Sequence, residues 1–135
     1  MGASSQYADA INNARTLDKE VGISELTFVG HSLGGGLGAA SSMATGRAAI
    51  TFNRASVSWR TSLYHGLGSV DNVKDYILVK KSGLPGISFY EPVTAVQRLF
   101  KMQTKGHHVI VPVDNAGYID SHKIKSVVDN IERLR

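Results

Sequence analysis

The run Gly30-His31-Ser32-Leu33-Gly34 constrains this chain more tightly than any other segment. It follows the apolar stretch Leu26-Thr27-Phe28-Val29 and opens a region rich in Ala and Gly, so it reads as strand, sharp turn, helix. Such a turn needs small neighbours, because a side chain at either flank would collide with backbone. Glycine at positions 30 and 34 meets that demand and leaves the Ser32 hydroxyl standing clear. The first amide of the helix, at Leu33, and the positive helix end point to the same side, where a developing oxyanion would be stabilised.

Helix and strand patterns alternate on both sides of this turn. Tyr7, Ile11, Ala14, Leu17 and Val21 recur at helical spacing, which predicts an amphipathic helix over about 5–21 with Gly22 as its stop. Leu26–Val29 reads as a short buried strand and Leu33–Thr45 as a helix. Its four early glycines would each cost about 1 kcal/mol relative to Ala in isolation, so close backbone packing is expected there. Strands are predicted at Ala48–Phe52, Val73–Val79, Ile87–Tyr90 and Val109–Val113, where Pro112 favours an edge. Ser56–Tyr64 is ambiguous and Gly66-Leu67-Gly68 reads as loop. Short helices are expected over Thr94–Lys101 and from Ile124 to Leu134. The alternation implies one α/β domain over residues 1–135 with a mostly parallel sheet flanked by helices.

Composition removes several function classes. The chain has 15 Lys and Arg against 11 Asp and Glu, but its basic residues are scattered among acids, which argues against a nucleic-acid surface. The glycines around Ser32 match neither a dinucleotide fingerprint nor a P-loop. No cysteine is present to make disulfides or thiolate metal sites, and the adjacent His107-His108 lacks ligand spacing on one face. No metal or other cofactor is expected. No apolar run nears the ~20 residues of a membrane-spanning helix. The start, Met1-Gly2-Ala3-Ser4-Ser5-Gln6, lacks the features of a signal peptide, which fits a cytoplasmic protein or one exported by an effector system.

A serine hydroxyl needs a base, and the base an orienting acid. In α/β-hydrolases these follow as Ser, acid, His, each beyond the carboxyl end of a strand. His31 and His65 come too early in that order, and His107 and His108 enter the last strand at its wrong end. His122, after the last strand, is the best-placed base; the alternative is a water-facing ring in the capping segment Asp120-Ser121-His122. For the acid, Asp71, Asp75, Glu91, Asp114 and Asp120 are all candidates. Asp75 lies inside a strand, whereas Glu91 occupies a strand end, and on position alone the choice stays open.

Gly30-His31-Ser32-Leu33-Gly34-Gly35-Gly36, followed by Ala49-Ile50-Thr51-Phe52-Asn53, resembles the class 3 lipase-like α/β-hydrolases, especially lipase and phospholipase-like domains of bacterial secreted effectors. In that resemblance Glu91-Pro92-Val93-Thr94-Ala95-Val96-Gln97 matches the segment carrying the acid, and His122-Lys123-Ile124 the histidine opening a terminal helix. It implies a serine hydrolase of lipid-like esters, with Ser32, His122 and Glu91 as its triad and Leu33 as one oxyanion donor. Pro92 and the stretch Ser82-Gly83-Leu84-Pro85-Gly86 depart from the pattern.

The resemblance also implies strands upstream of the nucleophile strand, and a loop there that supplies a second oxyanion donor. Only Met1 to Ser24 precede that strand here, which reads as one helix. The expectation is the C-terminal portion of an α/β-hydrolase fold, with Leu26–Val29 as an exposed edge able to pair with a complementing chain or a second copy. A self-sufficient minimal esterase and a non-catalytic binding module are the other two readings.

Overall fold

The computed structural model describes residues 2–21, 26–81, 88–90 and 107–113, together with residues 125, 128 and 132. Helix α1 spans Gly2–Val21 and is followed by strand β1, Thr27–His31, helix α2, Leu33–Thr45, and strand β2, Ala48–Phe52. A six-residue helix α3, Trp59–Tyr64, then leads to β3, Val73–Lys81, β4, Ser88–Tyr90, and β5, His107–Val113. Lys125, Val128 and Glu132 are helical, in line with the expected closing helix. The predicted helix over Thr94–Lys101 lies outside the described residues. None of the described helices is long and apolar enough to cross a membrane.

Strands β1, β2, β3 and β5 form a parallel sheet in that order, and β4 adds an antiparallel pairing to the far end of β3. Gly30 pairs with Thr51 and His31 with Phe52, while Phe52 also pairs with Tyr76, so β1 and β2 end at one level. The register carries β1 two residues beyond the expected Val29, because its ladder continues to the turn. β5 starts beside Lys74 and pairs along β3 as far as Lys80. It lies at the edge of the sheet among the described residues, the position where a strand tolerates a proline such as Pro112.

One face of the sheet receives α2. Ala39, Ala49 and Val73 form a buried cluster with Phe28, Val57 and Val70 against it. A second cluster, Tyr7, Ile11 and Ala40, joins α1 to α2. The two helices run in the same direction: Tyr7 meets Gly36 near the start of α2, and Asp18 pairs with Arg47 just past its end. Tyr7, Ile11 and Ala14 are buried as the helical spacing predicts, but Leu17 and Val21 are exposed. By that point α1 has passed the end of α2, so its last apolar residues have no helix surface to cover. α2 closes on Gly46 in a left-handed cap, with Gly46 donating to the Ser42 carbonyl at 2.7 Å.

β1 is less buried than its apolar sequence predicts. Thr27 and Val29 are exposed, Val29 at 67%, on the face away from α2, while Phe28 turns toward α2. Among the described residues β1 pairs only with β2.

Candidate functional site

Among the described residues, both non-glycine positions with positive φ sit where a parallel strand ends: Ser32 after β1 and Asn53 after β2. Ligands of open α/β sheets bind at this carboxyl end. Ser32 has φ 55° and ψ −122°, outside the regions that residues with a Cβ adopt easily. A backbone held this way stores about 1–3 kcal/mol and persists only when its surroundings over-determine it. Here they do. Ser32 N–H donates to Phe52 O at 3.1 Å, and Ser32 O accepts from Gly36 N–H at 3.1 Å and Ala55 N–H at 2.9 Å. The turn is therefore tied to the end of β2 and to its own helix. The Leu33 amide heads α2, among the first-turn N–H groups that have no acceptor within the helix. Leu33 itself is 40% exposed.

Close packing explains three of the glycines, against backbone at Gly30 and against both side chain and backbone at Gly35 and Gly36. A Cβ on Gly30 would run into the Gly34 carbonyl and lie 2.7 Å from Gly35 N. One on Gly35 would sit 2.7 Å from Arg54 Cβ, and one on Gly36 would meet the Tyr7 hydroxyl and lie 2.8 Å from Ala55 O. Gly34 differs from the steric expectation, since nothing described lies within 4 Å of where its Cβ would be. Its part in the turn is to bring its carbonyl against Gly30, not to leave room for itself. Gly30→Ala is expected to lower stability by about 3 kcal/mol, the upper end for overpacking, because rigid backbone cannot yield. Gly34→Ala should stay within about 1 kcal/mol of the parent; urea denaturation of both variants checks the contrast.

Beneath the turn lies a polar cluster that the sequence did not disclose. Asp75 in β3 and Arg54 after β2 are each 2% exposed. Arg54 Nε lies 3.5 Å from Asp75 Oδ2, and Thr51 Oγ1 donates to Asp75 Oδ1 at 2.8 Å. His108 Nδ1 on β5 lies 3.6 Å from Asp75 Oδ2. Burial raises the Asp75 carboxyl above its ordinary value, against the opposing pull of Arg54, the Thr51 hydrogen bond and His108. Burial likewise lowers Arg54, opposed by Asp75 and Tyr7, and raises the Tyr7 phenol.

Asp75 and His108 thus form a carboxylate–imidazole pair, though not one placed to serve Ser32. β5 and β1 are separated by two strands, about 14 Å at the usual spacing, and Asp75 is engaged by Arg54 and Thr51. Its position inside a strand, read from the sequence, is confirmed. His108 lies in the opening residues of β5, but β5 starts late along β3, so His108 is level with Asp75, Thr51 and Gly30, at the carboxyl end of β1 and β2. The expectation that the start of the last strand lies at the wrong end of the sheet is thereby corrected. Gly30 and His31 close β1, with Ser32, Leu33 and Gly34 following as the spacing predicts. Glu91 and His122 lie outside the described residues.

Over 53 residues, 39% of this chain, it is 47% identical to an extracellular phospholipase A1 of Serratia liquefaciens, and that segment is 16% of the relative's length. The phospholipase-like Tle-like phospholipase domain matches residues 1–122. The expected likeness holds as far as a phospholipase-like domain, without a specific tie to class 3 lipases. By the extent of that match, the chain belongs to the Tle-like phospholipase domain family.

Proposed function

We propose that this chain is the portion of a phospholipid ester hydrolase that carries its nucleophile, Ser32. The observation that carries the reading is the strained backbone of Ser32, φ 55°, anchored by three hydrogen bonds at the carboxyl end of the sheet in a phospholipase-like domain. A strained, over-determined serine between strand and helix is the geometry of a nucleophile elbow. The relative's name, phospholipase A1, supports a phospholipid substrate.

In this reading the Ser32 Oγ attacks the ester carbonyl while His122 takes its proton. The Leu33 amide donates to the oxyanion of the tetrahedral intermediate. Collapse of that intermediate breaks the ester C–O bond, and His122 returns the proton to the leaving alcohol. Water, deprotonated by the same imidazole, then releases the fatty acid from the serine. Glu91 accepts a hydrogen bond from the imidazole and stabilises its cationic form. Chain order and the family resemblance support His122 and Glu91, and both fall within the matched residues 1–122. A second oxyanion donor would come from a segment paired beside β1, whose outward face exposes Val29.

A fluorophosphonate probe tests the nucleophile: it should label the parent chain and fail on Ser32→Ala. Parent and variant labelling equally would sink the assignment. His122→Ala should cost at least ~10⁴-fold in ester turnover, whereas His108→Ala should leave turnover within a few-fold. The reverse result would transfer the base to His108.

A further inference from the structure

Helix α3 is built inside out. Its six residues include none that is buried, and Trp59, Leu63 and Tyr64 are 70, 75 and 87% exposed. The polar Thr61 and Ser62 are the residues turned partly inward. A surface helix of a globular protein shows the opposite arrangement. The helix is nonetheless a defined element: Ser58 caps it, accepting from Thr61 N–H at 3.1 Å, and Arg15 of α1 donates to the His65 carbonyl at 2.8 Å. Arg60 lies over the Trp59 ring, 5.5 Å from its centroid, and His65 packs edge-on against Tyr64.

The segment that carries it is free of acids. No Asp or Glu occurs from Leu26 to Val70, a stretch that includes β1, the Ser32 turn and all of α3. Trp and Tyr beside a cation are what the boundary between lipid headgroups and acyl chains accommodates, since each offers an apolar body with a polar tip. An acid-free segment with Arg60 at its exposed helix suits anionic headgroups. Trp59 is also near the turn along the chain. Ala55 donates to the Ser32 carbonyl, and only four residues, at most about 14 Å of extended chain, lead from Ala55 to Trp59.

We propose that α3 is a membrane-docking element: Trp59, Leu63 and Tyr64 enter the interface of an anionic phospholipid surface, with Arg60 among the headgroups. The proposal rests on the phospholipid reading above and extends it from the ester bond to the aggregate that presents the ester. Docking through α3 would set the distance and tilt of the Ser32 turn relative to the lipid.

Trp59 is the chain's only tryptophan and therefore reports on the site directly. The experiment uses the Ser32→Ala chain, with vesicles of phosphatidylcholine alone or containing one-third phosphatidylglycerol. With the anionic vesicles, Trp59 emission should shift to the blue and be quenched by brominated acyl chains. Leu63→Ser/Tyr64→Ser should bind these vesicles at least tenfold more weakly, with thermal melting unchanged and dissolved short-chain ester turnover, measured on a Ser32 background, unaltered. Unchanged Trp59 emission on both vesicle types, or undiminished binding by the double variant, overturns the proposal. So does a blue shift that grows with protein concentration in the absence of lipid, which would assign the patch to a second copy of the chain. Vesicle binding together with a parent chain that turns over no ester would sink the hydrolase reading and leave this one standing. Ester turnover without vesicle binding would do the converse.

Discussion

Ser32→Gly is expected to yield a protein more stable than its parent and devoid of ester turnover. Any residue with a Cβ is strained at φ 55° and ψ −122°, and glycine is not. Relief of about 1–3 kcal/mol is offset by the roughly 0.5–1 kcal/mol of extra unfolded-state freedom that glycine brings, so a net gain near 1 kcal/mol is expected. Loss of the nucleophile lowers turnover on the order of 10⁶-fold. Ser32→Ala is the control, because alanine keeps the strain while removing the hydroxyl. It should be equally inactive and no more stable than the parent. Chemical denaturation of the three proteins, beside hydrolysis of a soluble ester, reads both quantities. If the glycine variant melts no later than the alanine variant, the turn holds no strain and the structural argument for Ser32 fails.

Arg54→Ala should be among the most destabilising single changes in the described structure, at about 3–5 kcal/mol. It removes one partner from a pair in which each residue is 2% exposed, leaving the Asp75 carboxyl buried with Thr51 and His108. The Arg54 Cβ that faces Gly35 beneath the Ser32 turn is kept by alanine, so the loss comes from the guanidinium and its stem. The cost should be nonadditive: Arg54→Ala/Asp75→Ala should lose less than the two single variants together, because neither charge is then stranded. The pair has a pH signature too. Burial holds the Asp75 carboxyl above its ordinary 3.8, so the native chain keeps that proton to higher pH than the unfolded chain. Its contribution is fully present below about 3.8 and is lost as pH rises through the native value. Asp75→Asn should erase that step from a plot of stability against pH. An unchanged plot, or strictly additive losses in the double variant, would show that the two groups do not act as a pair.

Local pattern was enough to read much of the scaffold. α2 and β2 begin and end where their sequences place them, since Gly46 stops the helix and Asn53 ends the strand in a conformation it tolerates. α3 was ambiguous because its apolar residues face outward, so no inward stripe marked a helix period. The Arg54–Asp75–Thr51–His108 cluster could not be read at all. Its members come from three neighbouring strands and the loop after one of them, and only register brings them together. Ser32 was legible because a sharp turn leaves a local steric imprint on its neighbours. The partners that hold it in place, Phe52 and Ala55, leave no such imprint, since they act through backbone atoms that every residue has.

The sheet is anchored very unevenly. β3 is joined to three strands, whereas among the described residues β1 is joined to one, and the Ser32 turn hangs from the end of β1. Fraying that starts at this margin would dismantle the Ser32 bend while the β3 centre still held. The proposed nucleophile is thereby placed at a margin of the described sheet, where whatever clasps that margin would also govern how long the bend keeps its shape.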